Sequence, residues 1–166
     1  MPDTRLAGER IIAATENRRA PFTVAYTSLT TNATADPGGA EAVWLTSVSA
    51  TYRAGRAYRV TLKGLAVATV ANTDCQLRVR RAALGGSLLF DSFRFALPST
   101  ANIAFYFANV FVVAGAVDIT AVLVGTISRA FGSGVVTVNA SAVNTAYIHV
   151  EDVGPAGDFS GATAIS

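Results

Sequence analysis

Tyr58-Arg59-Val60-Thr61-Leu62-Lys63 sets three large apolar side chains at every second position, with polar side chains between them. A β-strand turns successive side chains to opposite faces, so this stretch predicts a strand with one buried and one wet face. Cys75, Leu77 and Val79 against Gln76, Arg78 and Arg80 repeat the pattern. So do Phe22, Val24 and Tyr26 near the start, and Tyr147 to Val153 near the end, where Ile148 and Val150 point inward and Tyr147, His149 and Glu151 outward.

Between these anchors lie further strand-like runs at Val43–Tyr52 (with a change of phase near Ser47), Leu88–Phe95, Phe105–Phe111, Asp118–Thr126 and Val136–Val138. Turn signals separate them: Asp36-Pro37-Gly38-Gly39, Ala54-Gly55, Asn72-Thr73-Asp74, Gly85-Gly86, Pro98-Ser99 and Gly132-Ser133-Gly134, the last read as a hairpin. About eight short strands with no intervening helices predict an all-β chain, a single antiparallel β-sandwich of jelly-roll type. The domain is expected over residues 21–155, with 156–166 as a small-residue tail that is mobile unless something holds it. Ahead of it, residues 1–20 form an attachment segment, helical or extended. Leu6, Ile11 and Ile12 are its apolar anchors, Arg18 and Arg19 suit a helix C-terminus, and Pro21 is a stop.

Composition narrows the function. Apolar residues make up 51% of the chain and charged residues 14%, where an average soluble domain carries roughly 25% charge. So sparse a polar surface points to sides covered by a partner or by copies of the chain itself. The net charge is +2, and Lys63 is the only lysine among 13 basic residues. The arginines are scattered apart from Arg78, Arg80 and Arg81, which argues against nucleic-acid binding. The longest apolar stretch, Ile103 to Val117, contains Asn109 and Gly115 and is too short for a helical membrane span. Met1 to Arg10 is polar and has no signal-peptide character, so synthesis in the cytoplasm is expected.

Catalytic and metal-binding material is thin. His149 is the one imidazole and reads as an outward-facing strand residue. Glu151 and Asp152 point to opposite faces of a strand and are too few for calcium, which takes six to eight oxygens. Cys75 reads as a buried thiol with no disulfide partner. Trp44, Phe105, Tyr106, Phe107 and Phe111 read as core, with a sugar-stacking platform as the other use of such rings. No catalytic, cofactor or metal residue is assigned, and the chain reads as non-enzymatic.

Three stretches carry a resemblance. Leu6-Ala7-Gly8-Glu9-Arg10-Ile11, then Ala54–Val60 with Leu77–Arg81 and Leu88–Asp91, and finally Tyr147–Pro155 resemble segments of small β-sandwich virion surface proteins of tailed phages that infect actinobacteria. These are capsid decoration proteins and minor tail or fibre proteins. The resemblance implies a non-enzymatic sandwich, trimeric, tethered by its N-terminal segment to the major capsid protein or to tail proteins at the virion surface, after synthesis in the host cytoplasm. The shortness of the chain favours decoration. The alternative is a receptor-recognition module that binds host cell-surface glycan.

Overall fold

The alternation of Tyr58, Val60 and Leu62 becomes the hub of the molecule: all three are buried, and Lys63 on the opposite face is exposed. The computed structural model describes residues 21–33 and 39–165. Leu6, Ile11, Ile12 and most of the Asp36–Gly39 turn therefore lie outside the described residues.

Twelve strands follow in chain order: β1 (Phe22–Leu29), β2 (Ala42–Thr46), β3 (Ala50–Tyr52), β4 (Arg56–Ala68), β5 (Thr73–Arg81), β6 (Leu88–Leu97), β7 (Ile103–Val113), β8 (Ile119–Ala121), β9 (Leu123–Phe131), β10 (Val136–Asn139), β11 (Ala146–Pro155) and β12 (Thr163–Ile165). A 3-10 turn, Ala156–Asp158, separates the last two. The larger sheet runs β1-β11-β4-β7-β12, with β10 also paired to β4; the smaller runs β2-β9-β5-β6; and β3 pairs with β8. Four of the strands (β3, β8, β10 and β12) have only three or four residues, so the eight longer ones make the frame. Counted along the chain, the eight lie first-eighth-third-sixth in one sheet and second-seventh-fourth-fifth in the other.

The two sheets share one core. Trp44 of β2 meets Phe105 of β7 edge-on, with ring centroids 6.0 Å apart. Phe90 and Phe93 of β6 stack on Phe107 of β7 at 5.1 and 5.3 Å. Around them pack Leu62, Leu77, Leu123, Ile127, Ile148 and Val150, all fully buried. Each such side chain contributes about 1.5–3 kcal/mol relative to exposure. Tyr106 departs from the reading of the aromatic run as core. It is 68% exposed, because period two turns it away from buried Phe105 and Phe107.

Two local signals resolve differently from their sequence reading. Gly132-Ser133-Gly134 does not close a hairpin: β9 belongs to the smaller sheet, whereas β10 pairs with β4 in the larger. The glycines are needed because the chain crosses the open end of the sandwich tightly. A Cβ on Gly134 would lie 2.8 Å from Thr73 Oγ1 and 2.9 Å from the Val70 amide nitrogen. Gly154-Pro155 does not end the last strand but continues β11 through a bulge, Gly154 taking φ +131°. The segment after it is held by the domain itself: Thr163–Ile165 lie parallel to Phe111–Val113, and Ile165 is buried.

Candidate functional site

Residues directly opposite one another in paired strands share a face, so register alone assembles the outer surface of the larger sheet. Tyr147 lies opposite Lys63, and Lys63 opposite Tyr106; Tyr26 lies opposite His149, and Glu151 opposite Arg59. The result is a row crossing β1, β11, β4 and β7, about 14 Å wide at ~4.8 Å per strand spacing. The Tyr26 ring is 5.5 Å from that of Tyr147 and 5.8 Å from that of His149. Lys63 Nζ stands 5.6 Å from the Tyr147 ring centroid. Tyr106 and Tyr26 are the open members, at 68% and 49% exposure.

Charge on this face is largely settled within it. Arg59 donates from Nε and Nη2 to Glu151 Oε2, at 3.0 and 2.8 Å. His149 Nε2 lies 2.8 Å from Thr23 Oγ1, and its Nδ1 is 3.9 Å from Glu151. The Tyr147 hydroxyl titrates above the ordinary phenol range, first because of burial and then because Tyr106, Tyr26 and Glu151 lie near it. It therefore stays protonated at neutral pH. Beside the row a depression of about 190 Å³ is lined by Lys63, Leu65, Tyr106, Asn144 and Thr145 among others.

Two further polar clusters brace the fold. At the end of the sandwich where β1 begins, Asp152 is buried on the inner side of β11. It accepts Arg56 Nε at 2.9 Å, a second bond from Arg56 Nη2, and the Gly154 amide at 3.0 Å. On the outer face of the smaller sheet, Glu41 accepts Arg80 Nε and Nη2 at 2.8 Å each, and the Thr126 hydroxyl. Arg78 approaches the same carboxylate at 3.7 Å and donates to Ser128 Oγ at 3.2 Å.

The bond from Arg80, more than any other influence, holds the Glu41 carboxyl below its usual range, against the opposing effect of burial. A carboxyl with a depressed native pKa contributes stability that is complete above its unfolded value, about 4.3. That stability is lost as pH falls from there through the native value. Glu41→Gln is expected to cost roughly 1–2 kcal/mol at neutral pH. It should also remove part of the acid sensitivity below about pH 4.3. Urea unfolding of both proteins at neutral and acid pH measures this; equal acid sensitivity would mean that Glu41 is not the group responsible.

Of the residues singled out by sequence, His149 and Glu151 come together on the outer face of the larger sheet. Asp152 faces the opposite way and is ion-paired. Cys75, Trp44, Phe105, Phe107 and Phe111 are buried. Among the described residues no three His, Cys, Asp or Glu side chains group as metal ligands, and no helix is long and apolar enough to cross a membrane. Sequence reading missed the Tyr26–Tyr147–Lys63–Tyr106 row. Lys63 and Tyr147 alternate outward in their own strands. Tyr26, read with Phe22 and Val24 as an apolar face, turns to solvent because a register shift between Thr23 and Ala25 puts Ala25 inward instead. The adjacency of all four depends on which strands pair.

No protein-family model matches the chain, and no curated protein does. Among solved structures it is similar to the infectious bursal disease virus VP2 subviral particle, at 13% identity over 83% of this chain and 39% of that one, with a TM-score of 0.40. It is also similar to the enzymatically active domain of bacteriophage CBA120 tailspike protein 4, at 15% identity over 81% of this chain and 20% of that one, with a TM-score of 0.31. The chain spans less than half the length of either.

Proposed function

We propose that the protein is a non-enzymatic structural protein on the surface of a bacteriophage particle, a jelly-roll domain tethered through residues 1–20. The observation that carries this is the strand order, first-eighth-third-sixth against second-seventh-fourth-fifth. A double Greek key of that kind serves viral capsid domains, lectins and cupins. Cupin chemistry needs metal ligands inside the fold, and the described interior here is packed with apolar side chains. The virion-like motifs at Leu6–Ile11 and Tyr147–Pro155 favour a capsid or tail role among the remaining uses.

Topology supports a direction for the tether. β1 opens with Phe22, opposite Asp152, at the end of the sandwich that also carries the β3–β8 pair. Exposed Phe22 lies at that end, as do exposed Leu84 in the turn after β5 and Val117 in the turn after β7, apolar side chains suited to a seat on a capsid or tail protein. The loops around Val70, Phe131 and Val143 then face outward. Low charge fits a chain whose flanks are covered by its own copies in a trimer.

Quantitative mass spectrometry of purified virions tests the reading. The protein is expected in numbers comparable to the major capsid protein if it decorates the head, and in a handful of copies if it belongs to the tail. A chain lacking residues 1–20 should fold yet be missing from particles. Absence of the intact protein from virions, or full incorporation of the shortened one, would overturn the proposal.

A further inference from the structure

We infer that the outer face of the larger sheet holds a saccharide-binding site centred on Tyr106 and Lys63, with Tyr147 and Tyr26 extending it. The site is independent of where the protein sits on a particle. A sugar ring presents a face of C–H groups and a rim of hydroxyls, so its complement is an aromatic plane flanked by hydrogen-bonding groups. Tyr106 provides an open plane, being the most exposed aromatic residue described. Lys63, on the neighbouring strand and directly opposite Tyr106 in register, brings three donors into the row, its Nζ 5.6 Å from the Tyr147 ring centroid. Asn144 and Thr145, from the segment entering β11, add an amide and a hydroxyl across the depression.

The depression, at about 190 Å³, is smaller than the roughly 300–1,000 Å³ that engulf a drug-sized ligand. It suits one ring lying on the sheet, with further rings running toward Tyr147 and Tyr26. Three features favour a sugar over a second copy of the chain. The open rings are tyrosines, each with a polar tip; the one carboxylate of the row, Glu151, is occupied by Arg59; and Lys63 projects into the site as an exposed cation. Electron-rich hydroxyls, or the carboxylate of an acidic sugar, meet no repelling group there.

The test is an NMR titration of the full chain with N-acetylchitotriose, maltotriose and trigalacturonate. At least one of these is expected to shift the amides of Lys63, Tyr106, Asn144 and Thr145, and the acidic arm reports whether Lys63 selects charge. Tyr106→Ala should weaken that binding about tenfold, a loss of ~1.4 kcal/mol at the upper end of what a ring contact supplies. Tyr106→Phe, which keeps the plane, should retain most of it. No shift with any of the three sugars up to about 10 mM, an affinity too weak to count as recognition, would overturn the site. So would undiminished binding by Tyr106→Ala. A changed oligomeric mass of that variant in light scattering would also overturn it, by assigning the face to contacts between copies. Virion copy number is unaffected by any of these outcomes, so failure here is distinguishable from failure of the structural role.

Discussion

Replacing Asp152 with alanine is expected to cost about 3–5 kcal/mol of folding stability, the usual loss when one member of a buried ion pair is removed. The carboxylate is 1% exposed and Arg56 only 17%. The variant would take from a guanidinium with little access to water the carboxylate that it grips through Nε and Nη2. It would also free the Gly154 amide, which the same carboxylate receives at 3.0 Å, and with it the bulge that lets β11 continue past Asp152. Since domains of this size are stable by only about 5–15 kcal/mol, the loss is a large fraction of the whole. Melting should fall by roughly 10 °C. Arg56→Ala should be comparably damaging, because it strands the carboxylate. The double variant should cost well below the sum of the two, the mark of a coupled pair. A loss under about 1 kcal/mol for Asp152→Ala, read by urea unfolding, would mean that the pair does not clamp β11 to β4.

The second large effect belongs to Phe111. Its ring lies 5.5 Å from that of Tyr58 and 5.6 Å from that of Tyr52, and all three side chains are fully buried. Three strands meet in this cluster: β3, which pairs with β8, and β4 and β7 of the larger sheet. Backbone pairing also joins Phe111 to Thr163 of β12. Phe111→Ala is expected to cost about 3–5 kcal/mol, the transfer energy of the ring plus the cavity left behind. The hydrogen-bonded strands around it cannot collapse inward to fill that space. Tyr106→Ala, five residues earlier in the same strand, is the matched control: an exposed ring should cost no more than about 0.5 kcal/mol. Chemical denaturation of the two variants side by side measures the contrast. Similar losses at both positions would contradict the assignment of faces along β7.

Much of this was legible in sequence wherever a property belongs to one strand. The alternation in Tyr58–Lys63, Cys75–Arg80 and Tyr147–Val153 assigned each side chain to a face, and the described burial agrees except at Thr61, which is buried at 3% exposure. At Tyr106 two signals compete: flanked by Phe105 and Phe107 it belongs to an apolar run that reads as core, yet the same period turns it to solvent. Gly132-Ser133-Gly134 shows the rule reaching its limit. A glycine turn announces that the chain reverses, but not whether the next strand joins the same sheet. The three-residue β12 was hidden because Thr163-Ala164-Ile165 has no alternation to read; it forms because β11 and the 3-10 turn deliver the chain beside β7.

By itself, then, the sequence determined an all-β chain of roughly eight principal strands, with the inward and outward residues of most of them. Side-chain character decides which residues leave water, and that information is local. Which strands pair was decided only by the tertiary structure. The bonds that join strands are backbone N–H to C=O, alike at nearly every residue, and carry no address. The Arg56–Asp152 ion pair and the Tyr26–Tyr147–Lys63–Tyr106 row join residues far apart in the chain. They exist because β11 comes to rest between β1 and β4, an outcome set by closing two sheets over one core.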